Sequence, residues 1–133
     1  MKPKISHLGI LLFSASLLLV NSALARDLLD KEKTIIAKTV KGQLLDPESA
    51  RFKWVPVQTV GISAYCGIVN SKNRFGGYAG DSPYIVFLVW DYDKTVGMAA
   101  PLKIGSNDPN APETVATLQT CEKRGYTKLF MAE

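Results

Sequence analysis

Tyr84 to Trp90 is a run of seven apolar residues, Tyr-Ile-Val-Phe-Leu-Val-Trp, with no charge and no turn former inside it. The run is short, and rich in β-branched and aromatic side chains. It therefore predicts a strand buried on both faces near the centre of a sheet. The rest of the chain has to supply its neighbours and its cover. Tyr65 to Asn70 reads as one neighbour, with Cys66 and Ile68 on one face and Tyr65, Gly67 and Val69 on the other. A glycine inside such a strand predicts a bulge or a close backbone approach. Asp91-Tyr92-Asp93-Lys94 reads as a hairpin turn, and Thr95 to Ala100 as the returning strand, with Gly97 a candidate bulge and Pro101 ending or bending it. Phe52 to Val57 reads as an edge strand, because Pro56 removes one ladder donor.

Two amphipathic stretches predict helices. Between Arg26 and Leu45, the residues Leu28, Leu29, Ile35, Ile36, Val40 and Leu44 fall on one stripe, with Lys31, Glu32, Lys33, Lys38 and Lys41 mostly outside it. Asp27 or Asp30 is placed to cap that helix or to charge its N-terminus. Asp46-Pro47 suits the start of one further helical turn. Pro112 to Arg124 is the second helix, with Val115, Leu118 and Cys121 on one face and Gly125 as its stop. Tyr126 to Phe130 follows as a short extended segment. The fold class expected is α+β: a small antiparallel sheet of three to five strands, packed by an N-terminal and a C-terminal helix.

The N-terminus bears on compartment. Lys2 and Lys4 precede an apolar stretch, Ile10 to Val20, broken only by Ser14 and Ser16, and Ala23-Leu24-Ala25 follows. This is the pattern of a cleaved signal peptide over residues 1–25, and it places the protein in the periplasm or outside the cell. The 133 residues less 25 leave 108, a single domain over 26–133 with room for a modest core. Loss of Lys2 and Lys4 takes the formal charge from +4 to +2, which argues against nucleic acid as a partner, and no second apolar stretch argues for membrane insertion after cleavage. In an oxidising compartment the even pair Cys66 and Cys121 predicts a disulfide. Closing a loop of this length stabilises by at most ~4 kcal/mol.

Catalytic and metal chemistry find little to work with. The sole histidine, His7, leaves with the leader, and no Ser-x-x-Lys stands in the mature chain. A calcium loop opened at Asp91 would need Gly and Glu where Val96 and Leu102 stand. The glycines from Gly76 to Gly80 match neither phosphate-cradling nor dinucleotide patterns. No cofactor and no metal is expected. Asp91 and Asp93, on alternate positions, are the obvious candidate for a catalytic carboxylate pair, against which stands their place in a turn. What survives is the stretch from Asn70 to Ser82, longer than a hairpin needs. There Asn70, Asn73, Arg74, Phe75 and Tyr78 gather amide, guanidinium and aromatic groups around glycines, a mixture suited to protein or glycan recognition.

Asp46-Pro47-x-Ser49-Ala50-x-Phe52, followed by Cys66-Gly67-x-Val69-Asn70-x-Lys72-Asn73-x-x-Gly76-Gly77-Tyr78-x-Gly80, resembles a family of small secreted proteins of Gram-negative bacteria. The resemblance spans roughly residues 35–90. It implies a bacterial, exported protein and transfers no site residues.

The function expected is therefore a non-enzymatic binding protein of the bacterial envelope. Its contact surface is the loop 70–82, and its partner is a protein before a glycan; an inhibitor or immunity role fits the size. The alternatives are a small hydrolase or glycan-active enzyme using Asp81, Asp91 or Asp93, and an envelope structural or assembly factor.

Overall fold

The computed structural model describes residues 25–58 and 63–126. Residues 1–24 of the expected leader, residues 59–62 and the extended segment beyond Tyr126 lie outside the described residues. In chain order the elements are β1 (Ala25–Arg26), α1 (Asp30–Lys41), one helical turn (Pro47–Ser49), β2 (Arg51–Lys53), β3 (Val57–Gln58), β4 (Ala64–Asn70), β5 (Ser82–Trp90), β6 (Val96–Ile104) and α2 (Pro112–Lys123). Four strands form an antiparallel sheet in the order β2-β4-β5-β6, and β1 pairs with β3 in a two-stranded ribbon. The fold is α+β, and a Cys66–Cys121 disulfide joins β4 to α2 with its Cα atoms 5.9 Å apart.

The disulfide puts α2 on the face that carries Ala64, Cys66 and Ile68. On the opposite face Tyr65, Val69, Tyr84, Val86 and Leu88 are fully buried, and α1 supplies their cover through Ile36 and Val40. Gly67 is a close-approach glycine: a Cβ there would collide with the Tyr84 hydroxyl, which lies over it. An aromatic chain runs on from that point. Tyr84 meets Phe52 edge-on at 6.0 Å and Tyr65 at 6.2 Å, and Tyr65 meets Tyr126 at 5.8 Å. The Tyr65 hydroxyl donates to the Val55 carbonyl and accepts its N–H, each at 3.0 Å, so this segment has hydrogen-bond partners without a ladder.

Several sequence expectations change here. The predicted edge strand Phe52 to Val57 splits in two, and its second part joins the ribbon with β1. The strand after the hairpin does not stop at Pro101 but continues to Ile104. It can do so because β6 is an edge strand, where a missing N–H faces away from the ladder. Gly97 is the extra residue of a bulge, since Val89 faces Met98 while Trp90 faces Val96. The central strand is not buried on both faces throughout. Phe87 and Val89 are 42% and 40% exposed, because α2 crosses nearer the other end of β5. On α2 the buried stripe is Thr114, Thr117 and Cys121 rather than Val115, Leu118 and Cys121. The bridge to Cys66 sets the roll of the helix, and the threonine hydroxyls turn back to the Ser106 and Glu113 carbonyls.

The largest departure is Glu32, read as a surface charge and found fully buried. Its carboxylate accepts two bonds from the Arg26 guanidinium, at 2.6 and 2.7 Å. It also accepts the N–H of Leu29 at 2.8 Å and of Val96 at 2.9 Å. Glu32 thus does the capping that Asp27 or Asp30 was expected to do, since Leu29 holds the N-cap position and has no side-chain acceptor. Burial alone would raise the Glu32 carboxyl. The Arg26 bonds and the two backbone N–H groups outweigh it and pull the group down to about 2.

Candidate functional site

The stretch 70–82 follows β4 and leads into β5, at the end of the sheet away from Glu32. It is a shaped loop rather than a slack one. Lys72 and Tyr78 pair across it, Ala79 N–H reaches the Ser71 carbonyl at 2.9 Å, and Asn73 N–H reaches the Gly77 carbonyl at 2.8 Å. Gly76, with φ of 81°, adopts the left-handed turn that closes the tip, and its N–H returns to the Asn73 carbonyl at 3.0 Å. The base is fastened too: Lys72 N–H bonds the Ser49 hydroxyl at 2.8 Å, and Lys53 pairs with Asp81.

The five residues singled out in the sequence divide into two groups. Asn70 and Asn73 build the loop. The Asn70 side-chain oxygen accepts Gly80 N–H at 3.1 Å, and that of Asn73 accepts Phe75 N–H at 2.9 Å and Gly77 N–H at 3.3 Å. Arg74, Phe75 and Tyr78 face solvent, with Phe75 88% exposed at the tip. A ring that bare is held on a tip whose backbone groups bond to one another.

Sequence reasoning missed what surrounds Tyr78. Arg51, on β2 opposite Asn70, stacks its guanidinium over the Tyr78 ring at 3.9 Å. The Lys72 ammonium lies 5.7 Å from the same ring centroid. The alternation of Arg51 and Lys53 about Phe52 does mark both as outward-facing. Only the strand register brings Arg51 to Tyr78, and no spacing in the chain reveals it. Beside this group an open cavity of about 220 Å³ is lined by Leu44, Val69, Lys72, Asn73 and Ile104.

The carboxylates of the enzymatic alternative are not gathered. Asp81 lies just before β5, while Asp91 and Asp93 follow it, a nine-residue strand apart. Asp91 is near Lys31 at 3.8 Å. Asp93 accepts the hydroxyl and the N–H of Thr95, and these bonds hold its carboxyl below the usual range, the reverse of what a proton donor needs. Among the described residues no group of three His, Cys, Asp or Glu side chains is placed to hold a metal ion. No helix among them is long and apolar enough to cross a membrane. Set beside known proteins, the chain matches no family model, no curated protein and no solved structure.

Proposed function

We propose that the protein is an exported, non-enzymatic binding module that meets a protein partner through the face formed by the loop 70–82. One observation carries the reading: Phe75 stands almost fully exposed beside Arg74, on a tip whose backbone is fixed by its own hydrogen bonds. A rigid tip loses little conformational freedom on binding, and aromatic and arginine side chains supply much of the energy at protein interfaces. The disulfide is compatible with an oxidising compartment, and the N-terminal apolar pattern and the motif likeness support export to the bacterial envelope.

The test is a pull-down from envelope and culture fractions. The bait is the oxidised protein, beside a variant with Arg74, Phe75 and Tyr78 all changed to Ala. Asn73 is left intact because it shapes the loop. A protein retained by the first and lost by the second, with both folded, is the expected result. Equal retention by both baits would move the contact surface elsewhere on the molecule.

A further inference from the structure

The charges around Tyr78 do not balance. Arg51 and Lys72 both lie within 5.7 Å of one ring centroid, and neither has a carboxylate partner among the described residues. The one acidic side chain between residues 70 and 82 is Asp81, and Lys53 engages it. Some basic side chains elsewhere do meet a carboxylate: Lys31 faces Asp91, Lys33 faces Asp30, Lys41 faces Glu48 and Arg26 grips Glu32. What sets Arg51 and Lys72 apart is that both gather on one ring. Two like charges held on one aromatic ring repel each other, and the ring attracts each only weakly. An anion brought to this group would offset that repulsion. The Arg51 guanidinium carbon lies over the Tyr78 ring, 3.9 Å from its centroid, a contact that restrains the side chain before any ligand arrives.

We propose that Arg51 and Lys72, mounted on Tyr78, form a receiving site for a carboxylate, and that the partner is a protein presenting an Asp or Glu side chain to it. The proposal rests on the reading of the loop 70–82 as a contact surface and names the chemistry of what it contacts. The planar fork matches a carboxylate bidentately. The exposed Phe75 and the open cavity beside Lys72 offer a partner side chain apolar contact next to the ion pair, which favours a protein over a lipid or phosphate surface.

The test uses the oxidised protein labelled with nitrogen-15 and four probes: a ten-residue oligoglutamate, an oligolysine of equal length, inorganic phosphate, and vesicles carrying anionic phospholipid. Oligoglutamate is expected to shift the Arg51 side-chain Nε–H and Tyr78 amide signals, and oligolysine to leave them in place. R51Q should weaken that binding by about tenfold, as loss of a charge-assisted pair does, while K72Q weakens it less. Both variants keep a dispersed spectrum, since each residue lies at the surface. Signals unmoved by oligoglutamate, or moved equally in R51Q, would overturn the proposal. So would a response confined to phosphate or vesicles, which would assign the site to a lipid headgroup. A captured partner that depends on Arg74, Phe75 and Tyr78 but not on Arg51 would leave the binding surface standing and remove the carboxylate from it.

Discussion

Two arginines, at opposite ends of the sheet, show what a cation is used for in this molecule. Arg26 grips the buried Glu32 with two bonds, and the same carboxylate collects the N–H groups of Leu29 and Val96. Arg51 lies over Tyr78 at the surface with no carboxylate partner among the described residues. The first is a closed arrangement in which each donor strengthens the others, and its value is mechanical: it ties β1, α1 and the start of β6 together. The second is open, and adds little to folding because exposed cation–π contacts contribute only about 0.5–1 kcal/mol. The same residue type serves cohesion where its counter-charge is internal and, in the function proposed above, recognition where it is not.

That contrast can be broken by removing Glu32. E32A leaves two backbone N–H groups and a guanidinium without their acceptor and should cost about 3–5 kcal/mol, read as a lower midpoint in urea unfolding. An effect no larger than that of a surface substitution would show the cluster to be ornamental. A second way uses acid. Glu32 titrates at about 2 in the folded protein against 4.5 otherwise, so its contribution is fully present above pH 4.5 and is lost as pH falls through 2. It amounts to at most ~3 kcal/mol. Unfolding midpoints should therefore drop below pH 4.5 in the native protein, and that part of the drop should be missing in E32Q.

Smaller effects sharpen the other side. N73A removes the acceptor for two N–H groups in the loop and should cost about 1–2 kcal/mol. It should also weaken partner capture by disordering the tip, visible as faster amide exchange at Phe75 and Gly77. R51Q should change stability by less than about 0.5 kcal/mol, in line with exposed substitutions, while its effect on binding is the larger one. If R51Q destabilised as much as E32A, the two arginines would be alike and the distinction between closed and open sites would fall.

The sequence showed the closed site poorly and the open one in part. Glu32 sits among lysines at a helix start, where charge spacing assigns it to solvent; its burial depends on Val96, 64 residues on, offering an N–H at the right place. In the sequence pattern Val115 and Leu118 outrank Thr114 and Thr117 because threonine reads as polar. The bridge to Cys66 fixes which side of α2 faces the sheet, and threonine methyls pack there once the hydroxyls bond backwards. Local features were legible because their causes are local. The turn at Asp91 to Lys94, the bulge at Gly97 and the stop at Gly125, with φ of 87°, each follow from a few neighbouring residues. The loop 70–82 belongs with these, since its glycines and asparagines declare a turn. Arg51 was invisible as a part of it because strand pairing, not sequence distance, makes it a neighbour.

The Glu32 cluster also sets a timetable. A ribosome delivers the chain from its N-terminus, so α1 leaves early, carrying a carboxylate and an arginine that have only each other and Leu29. The last acceptor–donor pair waits for Val96, and Arg26 also reaches the Lys94 carbonyl, 68 residues ahead of it. Until the turn between β5 and β6 has emerged, the first helix can form but cannot be fixed in place. The first helix is thus among the last elements to be finished, and the interval between is when the young chain most needs protection from misassociation.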